Sequence, residues 1–283
     1  MSNSEQIEYW NGEAGERWAR EDETMARLLH PVSTALLDHA AIEGCLNALD
    51  IGCGGGSQSM MLAARLGPNA RVLGLDISEP MLEVAHGKIA GIGEHMADTT
   101  FLHADAATHT FETNDFDLIF SRFGVMFFDD PAAAFSNIRK ALRSQARLAF
   151  SCWQSLQDND WARIPLRVAL QHLPPPEAQD PHAPGPFALA DPQRVEAILQ
   201  ASGFRDIAVE SFARDIRFGE ASTLSKSVRK LVLIGPVGRL IAGQEPDVLE
   251  RIFTSMEEVL APYYREGALH LPVAIWFVTA TTD

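Results

Sequence analysis

Apolar positions change their spacing several times along this chain. Over residues 4–29, which hold no proline, Trp10, Ala14, Trp18, Met25 and Leu29 recur at intervals of four or seven, the period of helices that bury one face. A further helix is expected after Pro31, with Leu36, Leu37, Ala40 and Ala41 on one side and Gly44 as its stop. From residue 45 short apolar runs alternate with amphipathic segments: CLNALDI, SQSMMLAARL, ARVLGLDI, the stretch from Glu79 to Ala90, then TTFLHA. Buried strands that alternate with one-sided helices predict a parallel sheet joined by crossover helices. DFDLIFS continues the series as a strand, Asp130 and Pro131 are the cap and first-turn residues of a helix running to about Leu142, and ARLAFSCW is a fifth strand.

The alternation breaks after Trp153. Residues 174–186 hold six prolines, which neither a helix interior nor a central strand accepts, so a surface loop is expected there. Asp191 and Pro192 restart a helix that ends near Gly203, FRDIAVESF is a sixth strand, and residues 213–270 read as mainly helical with an interruption at GPVG. PVAIWFVTAT, β-branched and apolar, is a seventh strand, expected to be antiparallel and at or next to the sheet edge. The fold class is therefore α/β: a Rossmann-like, seven-stranded, mostly parallel sheet with helices on both faces. The insertions 154–192 and 213–270 are expected to form a mainly helical cap. Three stretches follow: N-terminal helices over the site (1–44), a cofactor-binding core (45–153), and the remaining strands with the cap (154–283).

Chemistry concentrates where strands end. In LDIGCGGGS, Gly52, Gly54 and Gly56 let the backbone turn sharply and approach a ligand closely, and Asp50 is expected to direct a carboxylate into the same crevice. A nucleotide site needs an acid at the end of the second strand to accept bonds from ribose hydroxyls; Asp76 in VLGLDIS stands there, 20 residues after Gly56. Asp105 in FLHADA closes the next strand, placed to meet an adenine amino group. Glycines after a strand can also serve only a tight turn, but acids at two successive strand ends make that reading weak. A dinucleotide fingerprint calls for a glycine where this chain has Ser57 and usually lacks an acid at position 50, which disfavours NAD.

These motifs resemble those of the class I S-adenosylmethionine-dependent methyltransferases, from about Trp10 to Trp153. SRFGVMFFDDP and the long C-terminal insertions are most similar to bacterial small-molecule enzymes akin to the ubiquinone/menaquinone biosynthesis methyltransferases. The resemblance implies S-adenosylmethionine as cofactor. It places Gly52, Gly54 and Gly56 along the methionine and ribose, Asp76 on the ribose hydroxyls, Ile77 and Met81 on the adenine faces, Asp105 with Ala106 at the adenine edge, and Ser121 and Arg122 beneath the methionine. RSQAR, residues 143–147, departs from the family's Pro-Gly-Gly turn before strand five.

Arg17 and Arg122 are candidates for the methionine carboxylate or an acidic substrate, a solvated surface charge being the alternative for either. Trp10, Trp18, Phe123, Phe127, Trp153, Tyr263 and Tyr264 are candidates for a substrate wall, ordinary core packing being the alternative for about half of them. Displacement at a sulfonium needs alignment and dryness more than a base, so no catalytic residue is assigned, and His172, His182 and His270 read better as structural or surface residues. Cys45, Cys53 and Cys152 form no zinc pattern, and no metal ligands are expected. A formal charge of −15 argues against nucleic acid and anionic membranes, and the absence of a basic leader or of roughly 18 consecutive apolar residues points to the cytoplasm. The expected partner is a small-molecule methyl acceptor; its identity, the atom methylated and the oligomeric state stay open. Two alternatives are a protein of this fold that binds the cofactor without methyl transfer and an NAD-linked oxidoreductase.

Overall fold

A computed structural model describes residues 3–91, 93–176, 180–219 and 223–283. The chain opens with α1 (Asn3–Asn11), α2 (Glu13–Arg20) and α3 (Asp22–His39). Then β1 (Asn47–Ile51), α4 (Ser57–Leu66), β2 (Arg71–Asp76), α5 (Glu79–Ile89), β3 (Asp98–His103), β4 (Phe116–Arg122), α6 (Pro131–Arg139) and β5 (Leu142–Trp153) follow in the expected alternation. The remainder holds α7 (Asp160–Ala169), α8 (Pro192–Ala201), β6 (Arg205–Phe218), α9 (Leu224–Ile234), α10 (Val237–Ile241), α11 (Pro246–Leu260), the two-residue β7 (Tyr264–Arg265) and β8 (Ala268–Thr281).

The strands form one sheet in the order β3-β2-β1-β4-β5-β8-β6, with β7 paired to β8. The seven expected strands are all present, and β7 is an eighth that its two residues left without a pattern. Strands β1 to β5 pair in parallel. β8 lies one strand in from the edge and runs against β5. The Gln145 amide donates to Asp283 O and the Thr282 amide to Ala146 O, both at 3.0 Å, whereas at the other end Gln154 N–H donates to Ala274 O at 3.0 Å. From β1 the chain steps outward to β2 and β3, then returns to β4 and moves the other way. Right-handed crossovers therefore put α4 and α5 on one face and α6 on the other, and β1 and β4 border the point where the direction reverses. All five β1 residues are buried, as a strand covered on both faces requires.

Two expectations are corrected. The helix break at Pro31 does not occur: α3 runs through it, with Val32, Leu36 and Leu37 buried. RSQAR is not a turn before β5 but lies inside it. The β4–β5 register jumps from Phe116↔Leu142 to Leu118↔Arg147, and Gln145 has φ +58°. The Thr282 hydroxyl fills the bulge, donating to Arg143 O at 2.5 Å and accepting the Ala146 N–H at 3.0 Å. Other termini follow their residues. The Asp130 and Asp191 carboxylates cap α6 and α8 by accepting the amides of Ala133 (3.0 Å) and Gln193 (2.9 Å), and Gly203, at φ +84°, ends α8.

The chain divides into two compact units. One contains residues 1–153, 181–211 and 276–283 and holds the parallel strands; the other contains 154–180 and 212–275. In the second unit α7, α9, α10 and α11 pack on one another. Its organising residue is the fully buried Asn159, whose side chain bonds both backbone groups of Ala274 at 3.0 Å and accepts the Trp161 indole N–H at 3.1 Å. The proline-rich loop forms neither helix nor strand where it is described; residues 177–179 lie outside the described residues.

Candidate functional site

The parallel registers bring Asp50 level with Gly74 and Phe120, and Asp76 level with His103. The glycine loop, Asp76, Asp105 and Arg122 therefore leave the sheet along one edge, the carboxyl edge, where open α/β sheets take ligands at the reversal point.

Gly52, Gly54 and Gly56 adopt φ of +67°, +54° and +76°, a region that disfavours any side chain. Space is equally limiting, since a β-carbon on Gly52 would lie 2.7 Å from the Gly124 Cα and one on Gly56 2.7 Å from the Phe101 ring. Asp76 braces this loop from the next strand: its carboxylate accepts the Gly54 N–H at 2.7 Å and the Ser78 N–H at 2.9 Å. Burial pushes the Asp76 carboxyl above its ordinary range, while these backbone donors pull it back. Ile77 follows, its carbonyl accepting the Asn11 amide at 2.8 Å, and Met81 packs its methyl against Gly54.

Asp50 lies at the end of β1 beside this loop. It is 1% exposed and sits between β1 and α4, where Oδ2 accepts the Ser59 hydroxyl at 2.6 Å and Oδ1 has no partner among the described residues. Burial pushes its carboxyl up to about 7, and Asp76 adds to the rise, against the pull of Ser59 and Arg122. A folded-state value raised this far above the unfolded one means that the fold holds the proton. Its stabilising contribution is full at low pH and disappears as pH climbs from about 4 through about 7. We expect wild type to lose about 2 kcal/mol of stability relative to Asp50→Asn between pH 5 and pH 8. Urea unfolding at both values measures this, and a pH-independent gap would show that the carboxyl is ionised throughout.

Arg122 at the end of β4 donates to the Ser33 hydroxyl of α3 at 2.8 Å, and its Nε is buried without a partner among the described residues. Ser121 locks the reversal point by donating to Ile51 O at 2.7 Å. Asp105 accepts the Ala107 N–H at 2.9 Å, the Thr108 hydroxyl at 3.0 Å and the Asn3 amide at 2.8 Å, and Ala106 beside it is buried. Trp10 meets Trp18 and Phe127 edge to face, with centroids 6.1 and 5.4 Å apart. Arg17 Nε is another buried donor without a partner among the described residues. Phe123 holds φ +63° and stacks on Trp153 at 4.3 Å and 6°. Tyr263 and Tyr264 belong to the second unit, as do His172, bonded to Ser255 at 3.0 Å, and His270. Cys53 is 5% exposed and burial pushes its thiol well above the ordinary range, which suits packing and not nucleophilic attack. No group of three potential metal ligands occurs among the described residues.

The sequence reading missed an ionic tie behind the loop. The Lys88 ammonium pairs with Asp22 and donates to Gly55 O at 2.5 Å and Ser57 Oγ at 2.6 Å, and the Asp22 carboxylate lies against Gly55. The spacing of Met81, Ala85 and Lys88 on one helical face was the available signal for Lys88; Asp22 had none.

The loop that tolerates no β-carbon, the braced Asp76 and the orphaned buried atoms of Asp50, Arg17 and Arg122 fit a nucleoside cofactor bearing an amino acid. This is the construction of a doubly wound nucleoside-binding enzyme. Comparison with known proteins agrees. Residues 49–150 match the family model described as "Methyltransferase domain". Nocamycin O-methyltransferase of Saccharothrix syringae is 29% identical over 196 residues, 66% of this chain and 69% of that protein. Demethylmenaquinone methyltransferase of Lactiplantibacillus plantarum is 37% identical over 103 residues, 36% of this chain and only 43% of that enzyme's length. Haemonchus contortus phosphoethanolamine N-methyltransferase 2, solved with S-adenosyl-L-methionine, shares the fold at a TM-score of 0.53 and 19% identity over 89% of this chain and 52% of that one. Residues 49–150 therefore form a methyltransferase domain, on a fold shared with a methyltransferase that binds S-adenosyl-L-methionine.

Proposed function

We propose that this methyltransferase acts on a small, flat, largely apolar acceptor, and that the residues assembled at the carboxyl edge hold the cofactor. The observation that carries the acceptor reading is the Phe123–Trp153 stack at the ends of β4 and β5. A bulky residue held at positive φ is costly, and such strain persists where it places a side chain for use. S-adenosylmethionine supplies an electrophilic methyl group on a sulfonium. In this reading Asp76 accepts both ribose hydroxyls, Ile77 and Met81 flank the adenine, Asp105 and Ala106 take its edge, and Arg17 and Arg122 face the methionine carboxylate. Gly52, Gly54 and Gly56 give the backbone access, Ser121 holds the reversal point, and Asp50 supports the loop. Trp10 helps to exclude water, leaving alignment as the main source of rate. S-adenosylhomocysteine is the leaving group, and an acidic hydroxyl loses its proton to bulk water before it enters the dry site, so no base is assigned.

No described helix is long and apolar enough to cross a membrane, and all three cysteines are free thiols, which suits a reducing, cytoplasmic setting. The test is incubation with methyl-labelled cofactor and a panel of phenols, enols and quinols set against amines and nucleic acids. Label is expected in the flat hydroxylated compounds. Transfer confined to amines or polymers would defeat the acceptor reading.

A further inference from the structure

α1 is fastened across the ends of β2 and β3. Asn3 donates to Asp105 Oδ2 at 2.8 Å, the Ser78 hydroxyl donates to Trp10 O at 2.7 Å, and the Asn11 side chain donates to Ile77 O at 2.8 Å and accepts the Glu79 N–H at 2.9 Å. Residues 3, 6 and 10 follow one another at helical spacings of three and four, so Gln6 shares the face of Asn3 and Trp10 and lies between them. Gln6 is 1% exposed, and neither its Nε2 nor its Oε1 has a hydrogen-bond partner among the described residues. Glutamine is seldom buried so completely, and an amide with both ends unsatisfied carries a large desolvation cost. No packing role needs that group; leucine or methionine would fill the volume without the cost.

The geometry points to Gln6 as the residue that reads the adenine ring of S-adenosylmethionine on the edge that Asp105 leaves open. The inference rests on the cofactor placement proposed above, with Asp76 at the ribose and Asp105 at the adenine amino group. Adenine presents, side by side and in one plane, an amino hydrogen and the N7 lone pair. A carboxamide matches that pair, its oxygen accepting from the amino group and its nitrogen donating to N7. The second amino hydrogen is left for Asp105. Two elements distant in sequence thus share one base, and Gln6 determines specificity: a purine lacking N7, or one with a carbonyl in place of the amino group, leaves its amide unpaired again.

Calorimetric titration of the full chain with S-adenosylhomocysteine and its 7-deaza analogue tests this. Wild type is expected to bind the 7-deaza compound about tenfold more weakly, and Gln6→Leu to bind S-adenosylhomocysteine about tenfold more weakly than wild type while no longer distinguishing the two. Unliganded Gln6→Leu is expected to melt at or above the wild-type temperature, because the substitution removes an unsatisfied buried group. Gln6→Met takes its place if Gln6→Leu does not fold. A 7-deaza penalty of equal size in wild type and variant, or none in wild type, would overturn the role of Gln6 and leave the cofactor placement standing. A wild type that binds neither nucleoside would instead defeat the placement itself.

Discussion

Asp76→Ala is expected to bind S-adenosylhomocysteine about 30- to 1,000-fold more weakly than wild type, equivalent to about 2–4 kcal/mol, and to keep its fold. Two losses combine. The proposed charge-assisted bonds to the ribose hydroxyls disappear, and so does the acceptor that now fixes the Gly54 and Ser78 amides at 2.7 and 2.9 Å. The fold has little reason to suffer, because burial already disfavours this carboxylate's charged form. Calorimetry on a variant with native circular dichroism measures the effect. Unchanged affinity would remove Asp76 from the ribose.

Gly52→Ala is expected to be the most damaging single change in the loop. Alanine at φ +67° costs about 1–2 kcal/mol from backbone sterics alone. Its methyl would also stand 2.7 Å from the Gly124 Cα, a backbone atom that cannot rotate away. Either the loop or the segment after β4 must shift, so about 2–5 kcal/mol of stability is expected to go, along with cofactor binding. At this chain length that corresponds to a fall in Tm of roughly 2–4 °C for each kcal/mol. A variant that melts within 2 °C of wild type would show that the loop relaxes freely, against this geometry.

How much of this was legible in the residues depended on the range of the forces involved. Local rules sufficed for the β1–β3 region and its intervening helices: α4 occupies the SQSMMLAARL run, and the caps at Asp130 and Asp191 form as their side chains suggest. Local rules failed at Pro31, where burial of one face of α3 outweighs one missing hydrogen bond. They failed again at residues 143–147, where the partner is Thr282 and no window along the sequence contains both. At the site, the types and spacings of Gly52, Gly54, Gly56, Asp76 and Asp105 pointed to the crevice proposed for the nucleoside. They did not announce how Asp50 would be used. Its carboxylate is enclosed by Ser59 from α4, a contact that arises only once the helix has packed back on the strand. Gln6 was invisible for a similar reason: a glutamine in a polar nine-residue helix looks like solvent-facing surface until the helix docks.

The antiparallel pairing of β8 with β5 has a consequence for how such a chain can diversify. Ala146 and Thr282 bond across 136 positions, and much of the intervening length belongs to the second unit. The entropy of closing a loop grows only with the logarithm of its length, about 0.6 kcal/mol for each doubling. Lengthening or replacing that stretch therefore has little thermodynamic penalty for the sheet. Every residue proposed to touch the cofactor lies at or before Arg122, on α1, α2 or α5 or at the ends of strands that pair among themselves ahead of this closure. The later stretch can thus be lengthened or exchanged with little disturbance to the strand ends at which the methyl donor is proposed to sit.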